Sequence, residues 1–166
     1  MRKNSEVVIL VTGGTFDKEY NEITGKLFFN DSHIGEMLDL GRCNLKVNIK
    51  KLMLKDSLDI EEKDRELILD ACLQTNATKL VITHGTDTMT ETAKLISENI
   101  KNKTIIFTGA MIPYKFGASD GLFNLGSALT AAQIIKNGVY IAINGNIFKW
   151  DEVKKNCKKG IFELIN

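Results

Sequence analysis

Four short apolar segments, spaced by longer segments of helical period, constrain the fold more than any other feature of this sequence. Each is rich in β-branched residues and apolar on both faces, which is typical of buried parallel strands. They occupy residues 7–12, 79–84, 104–108 and 139–143. Residues 45–54 alternate apolar with polar side chains and indicate a strand nearer an edge. The sequence therefore predicts an α/β fold, an open, doubly wound, mostly parallel sheet with helices on both faces, in a Rossmann-like or flavodoxin-like three-layer sandwich.

The helical segments between these strands have recognisable starts. Three begin at a residue that can cap a helix, namely Asp59 with Glu62, Thr88 with Glu91, and Asp120, whose helix is expected to end at Asn137-Gly138. A weaker helix is predicted over Ile34–Leu40. Asn144-Gly145 predicts a hairpin that pairs the last apolar strand with residues 146–148.

Length and charge limit the number of domains and the classes of partner. A chain of 166 residues is expected to form one domain over residues 1–166. Lys and Arg number 22 against 21 Asp and Glu, so we expect neither a nucleic-acid nor a membrane partner. The first six residues do not resemble an export signal. Three widely separated cysteines, Cys43, Cys72 and Cys157, suit a reducing compartment, and a cytoplasmic location is expected.

Small polar residues and glycines follow three of the apolar strands, where an open α/β sheet binds its ligands. The clusters are Thr12-Gly13-Gly14-Thr15, residues 83–88, and Thr108-Gly109-Ala110. Glycine-rich turns also suit phosphate, but neither GxGxxG nor GxxxxGK[ST] occurs, so nucleotide binding is the less favoured interpretation.

Thr86 and Asp87 precede a predicted helix, whose N-terminal N–H groups can stabilise an oxyanion or a bound carboxylate. Asp87 can equally be a helix cap. A threonine nucleophile needs a neighbouring base. His33 and His84 are the only histidines, and we expect a surface position for the first and a structural, strand-end position for the second. A lysine can be the base if burial lowers its pKa.

Three sequence blocks resemble those of the bacterial-type L-asparaginases, in the same order and spacing. They are residues 12–15 (TGGT), 84–92 (HGTDTMTET), and 108–113 (TGAMIP) with 119–125 (SDGLFNL). The similarity covers essentially the whole chain and corresponds to the N-terminal domain of that family. The resemblance implies a short, single-domain asparaginase that lacks the smaller C-terminal domain and assembles as a homodimer or homotetramer.

The resemblance also implies roles for individual residues. Thr15 corresponds to the nucleophile, Tyr20 to a tyrosine in a mobile loop that assists it, and Thr86 and Asp87 to the second threonine and its aspartate. Lys155 falls where the catalytic lysine follows the last strand, although a slip of one residue would exchange it with Lys154. The implied substrate-binding residues are Ser57, Asp87, Gly85 and Ala110. Neither a cofactor nor a metal is implied.

The expected reaction converts L-asparagine and water to L-aspartate and ammonia through a β-aspartyl ester on Thr15. Lys155 and Thr86 would transfer protons, and Asp87 would bind the α-amino group. Two alternatives remain open. One is a glutamine amidase or an ammonia-supplying component of an amidotransferase, and the other is a catalytically idle amino-acid-binding or regulatory domain.

Overall fold

A six-stranded sheet forms the centre of the protein. The computed structural model describes residues 6–165, so most of the N-terminal segment considered for an export signal lies outside it. The sheet strands are β1 (Val7–Gly13), β4 (Val47–Lys55), β5 (Lys79–Thr83), β6 (Thr104–Thr108), β7 (Gly138–Ile143) and β8 (Asn146–Lys149). They lie in the order β4-β1-β5-β6-β7-β8. All neighbouring pairs are parallel except β7–β8, the predicted hairpin.

Helices cover both faces of this sheet, which confirms the predicted α/β fold. They are α1 (Ile34–Leu40), α2 (Glu62–Gln74), α3 (Met89–Asn99) and α4 (Gly121–Ile134). Side chains of α2 and α3, such as Ile68 and Ile96, share one apolar core with alternate residues of the sheet. Side chains of α1 and α4, such as Met37 and Leu125, share the other. Among residues 6–165, no helix is long and apolar enough to cross a bilayer.

Thr88 and Asp120 are the N-cap residues of α3 and α4, as predicted, but neither side chain bonds to its own helix, and the cap predicted at Asp59 is wrong. Asp59 closes a 3-10 turn, and α2 instead begins after Glu61, whose N–H donates to Asp64 at 2.9 Å. Thr88 does precede α3, but its hydroxyl donates to the Ser57 carbonyl. Asp120 stands at the N-cap of α4 and accepts the Asn124 N–H through its carbonyl, not through its side chain.

The end of α4 also differs from the prediction. This helix stops at Ile134, three residues before Asn137, and Gly138 already belongs to β7.

Two antiparallel hairpins outside the central sheet were not predicted. The first pairs β2 (Lys18–Asn21) with β3 (Lys26–Phe29), and the second pairs β9 (Val153–Asn156) with β10 (Ile161–Leu164). Each has a glycine with positive φ at its turn, Gly25 at 68° and Gly160 at 64°. Both hairpins lie beside the functional residues described next.

Candidate active site

Backbone segments meet at the carboxyl ends of β1, β4 and β5, and glycines allow them to touch. Gly14 has φ of 75°, and a Cβ there would lie 2.5 Å from the Gly85 nitrogen. A Cβ on Gly85 would lie 2.6 Å from the Ser57 hydroxyl oxygen. Any larger residue at either glycine would push these segments apart, since real Cβ atoms do not approach so closely. These two glycines therefore allow the segments of Thr15, Ser57 and Thr86 to lie side by side.

Lys155 joins this cluster from the β9–β10 hairpin. Its ammonium donates to the Thr86 hydroxyl oxygen at 2.7 Å and to the Asp87 carboxylate at 2.6 Å. The Lys155 side chain is only 15% exposed. Lys154, the alternative by a slip of one residue, is exposed and makes no hydrogen bond to residues 6–165 through its side chain.

Ser57 binds the segment that carries Thr86 and Asp87. It is buried, its hydroxyl accepts the Asp87 N–H at 3.2 Å, and its carbonyl accepts the Thr88 hydroxyl at 2.8 Å. Its side chain thus supports the position of Asp87.

Thr15 begins a 3-10 turn directly after Gly14 and is half-buried. Its hydroxyl forms no hydrogen bond with the part of the chain that the structure describes. A hydroxyl that is accessible and uncommitted can accept a new partner, as a nucleophile must.

Two of the predicted site residues lie differently from this cluster. Tyr20 is 55% exposed on β2, and its hydroxyl lies 3.9 Å from the position of a Cβ on Gly25, at the turn of the hairpin. The structure therefore does not bring the Tyr20 hydroxyl into the cluster. Ala110 follows β6 as predicted, but its side chain is buried in the core beneath α4.

The two histidines are both buried, so the surface position predicted for His33 is wrong. His33 packs near Tyr114, its N–H donates to Asp17, and its Nε2 lies 3.1 Å from a Glu19 oxygen. His84 is structural as predicted, with Nδ1 2.8 Å from the Gly85 carbonyl and Nε2 2.9 Å from the Thr92 hydroxyl.

Burial lowers the pKa of His84 to about 4, so its ring is neutral at pH 7. Since both ring nitrogens already have protein partners, His84 does not serve as a free base in this cluster.

Asp120 and Asn124 position the segment that follows β6, a role that was not predicted from the sequence. The Asp120 carboxylate accepts the N–H groups of Met111 and Ile112 at 3.0 and 3.1 Å. The Asn124 amide donates to the Gly109 carbonyl at 2.8 Å and accepts the Asn144 N–H. Both residues belong to the third of the sequence blocks that resemble the asparaginases, but that block does not predict which groups they bond to.

A second ion pair lies next to Ser57. Lys18, at the start of β2, bonds to the Asp56 carboxylate. Partial burial acts to raise the pKa of Asp56, but Lys18, the Leu58 N–H and the charge of Lys155 outweigh it and hold that pKa below its usual value. Among residues 6–165, no group of three or more His, Cys, Asp or Glu side chains could hold a metal ion.

Residues 6–161 match the family described as Asparaginase, N-terminal. The chain is 30% identical to an L-asparaginase of Thermococcus kodakarensis, over 97% of this chain and 51% of that protein. It is 31% identical to a glutamyl-tRNA(Gln) amidotransferase subunit of Methanococcus vannielii, over 93% of this chain and 37% of that one.

Solved structures of L-asparaginases are also similar to this chain. The thermostable L-asparaginase from Thermococcus kodakarensis superposes with a TM-score of 0.85 at 29% identity, covering 97% of this chain and 51% of that one. L-asparaginase I from Vibrio cholerae superposes with a TM-score of 0.85 at 27% identity, covering 98% and 52%. The chain thus spans about half the length of these relatives, or less.

Proposed function

This chain belongs to the asparaginase family, and on that premise we propose that it hydrolyses the side-chain amide of L-asparagine to L-aspartate and ammonia. The observation that supports this most is the contact of Lys155 with Thr86 and Asp87, at 2.7 and 2.6 Å. Lys155 lies 68 or more positions from Thr86 and Asp87 in the chain. The segment of Thr86 in turn lies against that of Thr15, through the close approach of Gly14 to Gly85.

In the proposed reaction, the Thr15 oxygen forms a bond to the side-chain amide carbon of asparagine. The hydroxyl proton of Thr15 passes by way of Thr86 to Lys155, which in turn gives a proton to the carboxylate of Asp87. The electron pair of the C=O bond moves to oxygen, where backbone N–H groups near Thr15 and Thr86 stabilise it. When this intermediate collapses, the C=O bond re-forms and the C–N bond breaks. The nitrogen takes the proton back from the Lys155–Asp87 pair and leaves as ammonia.

The remaining β-aspartyl ester on Thr15 then reacts with water. Water adds to the ester carbon while its proton moves through Thr86 and Lys155 to the Asp87 carboxylate. The bond to the Thr15 oxygen breaks, that oxygen regains a proton, and aspartate is released. Asp87 would bind the α-amino group, with Ser57 and Gly85 holding the segment around it.

Ammonia release from purified protein tests this proposal. We expect release from L-asparagine by the wild type and none above background by Thr15→Ala, because the acyl-enzyme cannot form without the hydroxyl. Equal rates for the two proteins would overturn the role of Thr15. Circular dichroism spectra of both proteins control for misfolding.

Glutamine is the second candidate substrate, favoured by the 31% identity to a glutamyl-tRNA(Gln) amidotransferase subunit. The same assay with L-glutamine separates the two, since a preference for glutamine would favour an ammonia-supplying role. Binding of L-asparagine without release of ammonia would favour the idle amino-acid-binding domain.

Two further expectations stay predictions. One is assembly as a homodimer or homotetramer, and the other is a cytoplasmic location, which the three free cysteines suit.

A further inference from the structure

Four charged side chains form two ion pairs on segments that meet at Ser57. Lys155 pairs with Asp87, and Lys18 pairs with Asp56. The pairs are neighbours, because the charge of Lys155 lowers the pKa of Asp56 and Asp56 directly precedes Ser57, which binds Asp87. The two pairs together carry no net charge, which suits a zwitterion that brings one charge of each sign.

The ammonium of Lys18 has bonding capacity that the protein leaves unused. A lysine ammonium carries three N–H donors. Two donors of Lys155 are occupied by Thr86 and Asp87, whereas Lys18 bonds only to Asp56 among residues 6–165. The Lys18 side chain is 18% exposed and that of Asp56 is 29% exposed, so a ligand can reach the pair.

The position of Lys18 along the chain relates it to the candidate nucleophile. Lys18 is the first residue of β2 and directly follows the 3-10 turn Thr15–Asp17. The turn therefore fixes the distance between the backbones of Lys18 and Thr15. A cation held at a fixed distance from the nucleophile favours substrates whose anionic group lies at a matching distance from the reacting carbon.

We propose that Lys18 is a specificity-determining residue that binds the α-carboxylate of the amino-acid substrate, while remaining paired with Asp56. This inference rests on the proposed function and narrows it, because it restricts the substrates to carboxamides that carry a carboxylate at the spacing found in asparagine. A purely structural role, in which Lys18 only anchors the β2–β3 hairpin, would affect all carboxamides alike.

Substrates that each lack one charged group test the proposal. Succinamate keeps the carboxylate of asparagine without the amino group, and β-alaninamide keeps the amino group without the carboxylate. We expect Lys18→Met to lower kcat/KM about tenfold or more for L-asparagine and succinamate, mainly through KM, since a charged hydrogen bond contributes at least about that factor. The loss for β-alaninamide should be at least about tenfold smaller. Lys18→Arg should retain most activity.

Lys26→Met, an exposed lysine of the same hairpin, is the matched control and should behave like the wild type. Equal losses of Lys18→Met on all three substrates, or no loss, would overturn the proposal. Calorimetric binding of L-aspartate, succinate and β-alanine decides the question without turnover. Lys18→Met should weaken the binding of L-aspartate and succinate more than that of β-alanine. Equal weakening for all three ligands would count against the proposal, and so would a wild type that does not bind L-aspartate. A wild type that binds L-aspartate but releases no ammonia would contradict the proposed function alone.

Discussion

At the scale of the residue, strand geometry distinguishes two adjacent lysines that the sequence cannot tell apart. Successive side chains of a strand point to opposite faces. Val153 and Lys155 therefore share the inner face of β9, where Val153 is 2% exposed. Lys154 lies on the opposite face and is exposed. The resemblance alone left both residues as candidates for the base, and the pleat of β9 brings only Lys155 to Thr86.

Replacing each lysine by methionine tests this distinction. We expect Lys155→Met to lower kcat for asparagine by about 100-fold or more, because positioned acid–base groups typically contribute that factor. Lys154→Met should retain wild-type kcat and serves as the matched control. A Lys155→Met enzyme with normal turnover would contradict the role proposed for Lys155.

How far single residues could be predicted depends on whether they stand in a motif. Thr15, Thr86 and Asp87 follow strands in blocks that are readable from sequence. Lys18 is one charged residue in a polar segment, and nothing in its neighbours indicates that β4 delivers Asp56 to it. His33 is buried by contacts with residues that are distant in sequence, such as Tyr114, so local polarity gave the wrong environment.

At the scale of the element, the β9–β10 hairpin carries Lys155 although it lies outside the central sheet. Phe162 faces Lys155 across the hairpin, is 8% exposed, and packs with Val153 into the core beside α3. These two apolar contacts hold the strand from which the Lys155 ammonium reaches Thr86.

Truncation of this anchor should therefore affect stability and activity together. We expect Phe162→Ala to cost about 3 kcal/mol of unfolding free energy, as buried phenylalanines usually do. It should also reduce kcat, because β9 loses its fixed position. Ile161→Ala, at a site 42% exposed, is the control in the same strand and should change little. Urea unfolding and steady-state kinetics measure both effects, and an unchanged kcat in Phe162→Ala would show that Lys155 is held by other contacts.

The elements differ in how readily they could be predicted. Strands β1, β5, β6 and β7 are apolar on both faces because helices cover them, which leaves a clear pattern. The two hairpins are half-exposed and rich in charged residues, so their alternation is weak. Cap positions such as Thr88 could be predicted, but the bonds of their side chains could not, since the Thr88 hydroxyl bonds to another segment instead of to its own helix.

At the scale of the whole molecule, the buried His84 ring links stability to pH. Burial lowers its pKa from 6.5 to about 4. Between these values the unfolded chain binds a proton that the folded protein does not. His84 therefore contributes full stability above about pH 6.5, and this contribution falls as the pH decreases toward 4, by about 3 kcal/mol in total.

His84→Gln removes this titration while keeping groups that can bond to Gly85 and Thr92. We expect the unfolding free energy of the variant to fall less than that of the wild type between pH 7 and pH 4.5, by about 2 kcal/mol. Urea titrations of both proteins across that range give the comparison. Parallel curves for the two proteins would mean that His84 does not dominate the pH dependence.

The strand order also has a consequence for how the chain is made. β1 lies between β4 and β5, and the hydroxyl of Thr12 donates to the carbonyl of Thr83, 71 positions later in the chain. At translation rates of about 5–20 residues per second, β5 is synthesised several seconds after β1. During that time an apolar strand has an open edge, which is the kind of surface that associates with other chains. The arrangement that places Thr15 beside Thr86 in the finished protein thus exposes the nascent chain to misassociation until β5 has been synthesised.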